Sequence, residues 1–364
     1  MGGGGLVMNK ASKIYVAGHR GLVGSAIWKN LESKGYTHLI GRTIEELDLM
    51  DAGMVEEFFE TEKPEYVILA AAHVGGIVAN NVYRADFIYR NLQIQNNVIG
   101  ASYRHNVKKL VFLGSTCIYP RDAQQPMKEN ALLTGPLEYT NEPYAIAKIA
   151  GLKMCESFNI QYGTNFIAVM PTNLYGPNDN FDLERSHVLP AMIRKTYLAK
   201  NLQQENWKAI REDLNKRPVE GMDGSASDEQ IAVLLEKYGI SKGTLQLWGT
   251  GAPMREFLWS EEMADATVFV MEKVNFEDLI QDKNEIRNCH INIGTGKEIS
   301  IRELSELVAK TVGFEGSIHF DSTKPDGTMR KLIDVSKLNA LGWKHQIEIE
   351  EGVKKLFEWY VASK

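Results

Sequence analysis

Cysteine is scarce: 364 residues hold three, Cys117, Cys155 and Cys289, widely spaced and odd in number. That count excludes a disulfide framework and suits a reducing cytoplasm, and without a C-x-x-C pair it suggests no metal site. Long apolar runs are missing too. None approaches the roughly 18 residues that a membrane-spanning helix needs, so no membrane association is expected. Neither sign of charge dominates, and a net charge of −6 argues against a chain built mainly to hold nucleic acid. Anionic ligands therefore need particular cations. There is no internal repeat. The glycine run of residues 1–6 lacks the basic-then-apolar layout of a signal and is followed by a second methionine, Met8, so residues 1–12 read as a leader outside the fold. What remains is an ordinary globular composition, 44% apolar and 24% charged, enough for a sizeable core in one or two domains.

From Lys13 a short apolar run (14–17) leads through a glycine-rich turn into a helix-like stretch (25–34) and a second apolar run near Leu39. Similar buried-strand runs recur at 66–71, 110–113 and 165–169, with helical patterns at 85–103 and 145–162. This alternation predicts an α/β fold, a doubly wound parallel sheet of the Rossmann kind, over residues 13–175 with later segments returning to it. Residues 176–364 are less regular and read as a smaller mixed α/β substrate domain. Within them 201–242 is polar and charged, with helix-like spacing at 207–214 and 231–238. It reads as a surface insertion; a lid over the substrate cleft or an oligomer contact is the sharper alternative.

Gly18, His19, Arg20, Gly21, Leu22, Val23 and Gly24 follow the first strand directly and open the first helix. Three glycines at this spacing permit a tight turn, close approach of a pyrophosphate and helix-on-strand packing, with the phosphate on the helix N-terminus. At the end of the second strand, where an NAD site places an acid on the ribose diol, the chain has Gly41, Arg42 and Thr43. Arg42, joined by Arg20, suits a 2′-phosphate, so NADP(H) is the expected cofactor. Asp48 and Leu49 are placed to flank the adenine, and Ala70 and Ala71 are small residues along the cofactor.

Tyr144 and Lys148 are four residues apart on one helical pattern and so share a face. A lysine charge beside a phenol stabilises phenolate and draws its pKa toward neutrality, which suits proton exchange with a carbonyl oxygen. Upstream, Leu113 and Gly114 end a strand beside the cofactor and lead into Ser115, whose hydroxyl is suited to the same substrate oxygen. Glycine loop, serine, tyrosine and lysine stand in the order of a short-chain reductase.

The segments 18–24, 70–81, 114–120 (Gly-Ser-Thr-Cys-Ile-Tyr-Pro), 141–148, 171–177, 186–190 and 253–258 together resemble the GDP-L-fucose synthase family of extended short-chain dehydrogenase/reductases. The likeness runs from about Lys13 to the C-terminus, broken mainly by 201–242. It implies conversion of GDP-4-keto-6-deoxy-D-mannose to GDP-L-fucose by epimerisation at C3 and C5 and reduction at C4 with NADPH. It makes Tyr144 the proton donor to the C4 oxygen, Lys148 its modulator and a ribose ligand, and Ser115 the polariser of the keto group. Cys117 resembles the epimerisation base, and His187 the acid that returns a proton on the opposite face and also a cofactor neighbour. Pro171, Thr172, Asn173 and Leu174 resemble the loop beside the nicotinamide, with Asn173 also touching sugar or phosphate. Lys195, Trp248, Arg255 and Asp326 fall at the family's GDP-sugar positions. Lys195 departs from the arginine expected there and loses the bidentate fork. Trp248 reads equally well as core. His73 and Thr116 stand where the family varies and receive no role. Helices 85–103 and 145–162 correspond to a pairing surface common in the superfamily, so a homodimer is expected.

Two rivals remain. A dehydratase or 4-epimerase shares the fold and the Tyr–Lys pair, but the former carries Asp-Glu where this chain has Cys117-Ile118, and the latter keeps NAD, at odds with Arg42. A non-catalytic NADP-binding module shares the fold alone.

Overall fold

The computed structural model describes residues 8–75, 77–281, 284–324 and 326–363, grouped into two compact units. The first unit comprises Met1–Leu174, Leu258–Gly296 and Ile333–Gln346; the second comprises Tyr175–Phe257, Lys297–Leu332 and Ile347–Lys364.

In the first unit the strands β1 (Ile14–Ala17), β2 (Leu39–Ile40), β3 (Tyr66–Leu69), β4 (Lys109–Leu113) and β5 (Phe166–Pro171) join a final strand Ile291–Ile293 in one six-stranded sheet. Its order is Ile291–Ile293, β5, β4, β3, β1, β2, and the pairings are parallel. The apolar runs fit this place because both faces of a parallel sheet are covered. On β1, Ile14 and Val16 enter one core layer with Ile27, Leu31, Met263 and Val270, while Tyr15 and Ala17 enter the opposite one with Val98, Ile149 and Leu152. The first layer is roofed by α1 (Leu22–Ser33) and α9 (Ser260–Lys273), the second by α2 (Ala52–Glu62), α4 (Arg84–Arg104) and α5 (Glu142–Tyr162). A short α3 (Ile77–Val82) precedes α4. Local signals agree with these bounds: Asp51 caps α2 through Met54 N, and α5 has Pro143 in its first turn and ends at Gly163 with φ of 68°.

The doubly wound parallel sheet is thus as expected, with its reversal of strand order between β1 and β3, the place where such sheets bind ligands beyond their carboxyl ends. The leader reading needs correction beyond residues 1–7, which lie outside the described residues. Met8 is buried in the core, and Lys10 sits 3.8 Å above the Tyr36 ring. Burial of a methionine side chain ties this stretch to the fold.

In the second unit a three-stranded sheet runs Ser317–Asp321, Thr244–Trp248, Ile240–Ser241, packed with α6 (Val188–Gln203), α7 (Trp207–Lys216), α8 (Asp228–Lys237), α10 (Ile301–Val312) and α12 (Ile349–Ala362). Residues 201–242 supply α7, α8 and the edge strand, and Ile210, Leu214, Ile231 and Leu235 are fully buried. They are built into the unit rather than laid on its surface, because each helix carries an apolar stripe within its polar composition. The tie is also ionic: buried Arg194 of α6 donates from Nε to Asp213 Oδ2 of α7 at 2.9 Å, and the Tyr360 hydroxyl of α12 donates to Asp213 Oδ1.

Candidate active site

Gly18 leaves β1 at φ of 81°, in the left-handed region, and a Cβ on it would lie 2.8 Å from Ala71 N. At Gly24 a Cβ would fall 2.0 Å from Gly18 O, so helix and loop meet at a distance only glycine allows. Gly21 is the N-cap of α1, with no side chain bonding the first-turn N–H groups. An uncapped helix N-terminus at the sheet's reversal, walled by Ala70 and Ala71, is a phosphate cradle. His19 adds an orphaned buried atom, Nδ1, with no partner. Its pKa is lowered, first by burial and then by the Arg20 and Arg42 charges, with Glu46 opposing. The Arg20 and Arg42 charges that add to this lowering would welcome an anion, so these residues fit a dinucleotide phosphate.

Arg42 is already engaged: Nη2 donates to Glu62 Oε1 at 2.6 Å and Nη1 to Gly41 O at 2.8 Å. A 2′-phosphate would share this guanidinium with Glu62. Asp48 accepts from Met50 N at 2.9 Å, and the Leu49 carbonyl accepts from Asn97 Nδ2 at 2.9 Å, which fixes the stretch expected at the adenine.

Ser115 follows β4 in extended conformation (φ −160°, ψ 149°), and Cys117 sits in the single 3₁₀ turn Thr116–Ile118. Tyr144 and Lys148 lie in the first turns of α5, and Lys148 Nζ is 5.6 Å from the Tyr144 ring centre. Lys148 is buried and donates to Leu113 O at 2.8 Å, joining the helix to the end of β4. Burial lowers its pKa to about 8, with Cys117 acting in the opposite sense. Tyr144 behaves otherwise than expected from Lys148 alone: burial raises its pKa, and Cys117 adds to the rise. In this geometry the phenol is held protonated, the form that gives a proton to a developing alkoxide. Cys117 acts electrostatically on both groups, so serine, cysteine, tyrosine and lysine form one cluster at the carboxyl end of β4. The backbone of this unit also carries Pro171, Thr172, Asn173 and Leu174; Thr172 N donates to Ile293 O at 3.0 Å.

The second unit carries the other expected residues. His187 is the N-cap of α6 and its residue is solvent-exposed; desolvation by the protein around its ring, followed by the Lys331 charge, lowers its pKa and favours neutral imidazole. Lys195 lies on the same helix; burial lowers its pKa, and it has no hydrogen-bond or ion-pair partner among the described residues. A desolvated ammonium without a counter-charge suits an incoming anion. Trp248 is exposed rather than core, with Lys324 Nζ 5.6 Å from its ring centre. Arg255 Nη1 donates to Met254 O of its own strand and to Thr328 O of a separate loop. Asp326 accepts from Thr250 N (2.8 Å) and Oγ1 (2.7 Å), so both its oxygens brace the Gly249–Thr250 turn.

Two buried amides were not anticipated. Asn91 of α4 clasps the segment after β3: Nδ2 donates to His73 O and Phe87 O, and Oδ1 accepts from His73 N at 3.0 Å. One turn on, Gln95 donates to Ala147 O at 2.7 Å and so ties α4 to the Tyr144–Lys148 helix. The available signal was a pair of amides at i and i+4 on the apolar face of α4.

A family model described as "NAD dependent epimerase/dehydratase family" matches residues 14–217, and the chain belongs to that family. Within it, the chain is 50% identical to a protein named "Putative GDP-L-fucose synthase 2" from Arabidopsis thaliana, over 100% of this chain and 96% of that one. It is 46% identical to the GDP-L-fucose synthase of Escherichia coli (strain K12), over 96% and 97% respectively. A solved structure titled "MlghC, GDP-mannoheptose C4 reductase from Campylobacter jejuni with NADP bound" is 47% identical, covers 97% of this chain and 99% of its own, and superposes with a TM-score of 0.88.

Proposed function

We propose that the chain is an NADPH-dependent enzyme that converts GDP-4-keto-6-deoxy-D-mannose to GDP-L-fucose, inverting C3 and C5 and reducing C4. The observation that carries this is the placing of Cys117 within electrostatic reach of both Tyr144 and Lys148. A plain C4 reductase needs only serine, tyrosine and lysine; a thiol in the same cluster supplies a base. Full-length likeness to proteins named GDP-L-fucose synthase supports the sugar.

The 4-keto group acidifies the C3–H and C5–H bonds because charge released at either carbon moves onto the C4 oxygen. Ser115 donates a hydrogen bond to that oxygen, where negative charge develops. Cys117 takes the proton from carbon, and His187 returns one. Since His187 rests neutral, it must be charged before it can donate, so inversion slows as pH rises above its lowered pKa. Bound NADPH supplies the hydride for C4. Tyr144, held as a phenol, gives the C4 oxygen its proton, and the Lys148 charge stabilises the phenolate left behind. Gly18, Gly21 and Gly24 admit the pyrophosphate, Arg20 and Arg42 meet the 2′-phosphate, and Lys195 and Arg255 meet the GDP diphosphate. We also read the chain as a cytoplasmic homodimer. Exposed Tyr103 and Tyr162 on α4 and α5 support the pairing surface, and no described helix is long and apolar enough to cross a membrane.

One second reading has its own observation. The similar structure titled a GDP-mannoheptose C4 reductase supports a second reading, in which this chain reduces C4 of a GDP-sugar and inverts nothing. Incubation with GDP-4-keto-6-deoxy-D-mannose and NADPH in heavy water separates the two. Deuterium at C3 and C5 of the product supports the first, and reduction without deuterium the second.

A further inference from the structure

The turn that carries Cys117 is closed by the long bonds of a short 3₁₀ turn. Cys117 N to Ser115 Oγ is 3.4 Å, Ile118 N to Ser115 O is 3.3 Å and Tyr119 N to Thr116 O is 3.4 Å, all longer than the usual 2.9–3.0 Å. Its two ends are anchored differently. Upstream, Ser115 hangs from the sheet, since Gly114 N donates to Val169 O at 2.8 Å and Leu113 O accepts from Lys148 at 2.8 Å. Downstream, the chain goes through Tyr119, whose hydroxyl is buried against the segment that forms the sheet's last strand. It lies 3.0 Å from His290 Nε2 and 2.5 Å from Asn292 Oδ1.

The direction of these bonds can be fixed. Asn292 Nδ2 faces two carbonyls, Met127 O and Asp334 O, each at 3.1 Å, so its amide must present Oδ1 to Tyr119. The phenol therefore donates to Asn292, and His290 Nε2 carries the proton that the phenol oxygen accepts. The network extends further: Asn292 N donates to Glu129 Oε1 at 3.1 Å, and Lys337 Nζ, 3.7 Å from Glu129, donates to His290 O at 2.8 Å. Tyr119, Glu129, His290 and Asn292 are all buried. Apolar residues of the same volume would fill this space without the cost of desolvating them, whereas the hydrogen bonds of a polar network set direction as well as depth. Buried Ile118 holds the turn in depth only.

We propose that Tyr119, clamped by His290 and Asn292, is a positioning residue that aims the Cys117 thiol, while the backbone leading into Ser115 is held by the sheet and not by this clamp. The proposal rests on the reading of Cys117 as the epimerisation base. It predicts a division that no general loss of structure would produce: damage to the clamp slows proton removal from carbon and spares hydride transfer.

The test uses the full chain, Tyr119→Phe, His290→Gln, which keeps an N–H donor, and His290→Leu, which does not. Deuterium wash-in at C3 and C5 of GDP-4-keto-6-deoxy-D-mannose reads inversion. The rate of NADP⁺ reduction by GDP-L-fucose reads hydride transfer without any inversion, and quenching of protein fluorescence by NADPH reads binding. Expected is a fall in wash-in of about 10- to 100-fold in Tyr119→Phe and His290→Leu, the scale of a displaced catalytic group. His290→Gln should restore most of the wash-in, and hydride transfer and NADPH binding should stay near those of the unmodified chain. Unchanged wash-in in Tyr119→Phe, or a parallel fall in wash-in and hydride transfer, overturns the proposal. Absence of wash-in in the unmodified chain, with hydride transfer intact, removes the epimerase reading itself and the proposal with it.

Discussion

Lys109, at the start of β4, is buried with no carboxylate bonded to it among the described residues; its ammonium donates to Val270 O (2.8 Å) and Met271 O (2.7 Å) at the end of α9. Burial lowers its pKa from 10.5 to about 7, with the Asp278 charge acting in the opposite sense. Below pH 7 folded and unfolded chains both carry the proton, and the full cost of burying the charge is present. Between about 7 and 10.5 the unfolded chain holds the extra proton, so stability rises with pH across that window. The neutral amine keeps two N–H groups, enough for both carbonyls, so no bond is lost on deprotonation. A shift of this size corresponds to an upper bound of about 5 kcal/mol, at about 1.4 kcal/mol per pH unit. In Lys109→Met the titration is absent from both states; Met271 O and Val270 O lose this donor, Val270 O keeping Val274 N, at a pH-independent cost of about 1–3 kcal/mol. Urea unfolding of both proteins at pH 7.5 and 9.5 should show the original chain gaining on the variant by about 2–3 kcal/mol. A difference that stays flat with pH would refute the reasoning.

Other perturbations follow from the same geometry. Asp213→Ala strands buried Arg194, already bonded at 2.9 Å, and should cost about 3–5 kcal/mol, read as a lower urea midpoint. Gly24→Ala puts a Cβ 2.0 Å from Gly18 O and should abolish NADPH binding measured by fluorescence. Arg42→Ala should lower affinity for NADPH about tenfold or more while leaving NADH little changed, in direct titrations. Tyr144→Phe should stop NADPH oxidation, whereas Cys117→Ser should retain NADPH binding and lose deuterium wash-in.

Much of the fold was legible because its signals are local. The alternation of apolar runs with helical spacing announces the parallel sheet, and the three glycines announce the turn between β1 and α1. What the sequence hid depends on residues far apart. Arg42 is an evident cation, but its ion pair with Glu62 joins positions twenty apart that only the fold brings together. The i, i+4 spacing of Tyr144 and Lys148 shows a shared face, yet burial, which sequence spacing does not report, dominates the behaviour of both. The stretch 201–242 looks like surface on composition alone; its buried Ile210, Leu214, Ile231 and Leu235 are a minority within polar helices. Met8 looks in sequence like part of the glycine-rich leader before it, although a single buried side chain suffices to tie a short segment down.

The central claim is that one site both inverts and reduces the sugar. NMR of the product formed from GDP-4-keto-6-deoxy-D-mannose and NADPH in heavy water tests it most directly. The account predicts GDP-L-fucose carrying deuterium at C3 and C5, with one NADPH oxidised per product. A C4-reduced sugar that keeps the D-manno arrangement at C3 and C5 and carries no deuterium there would contradict it.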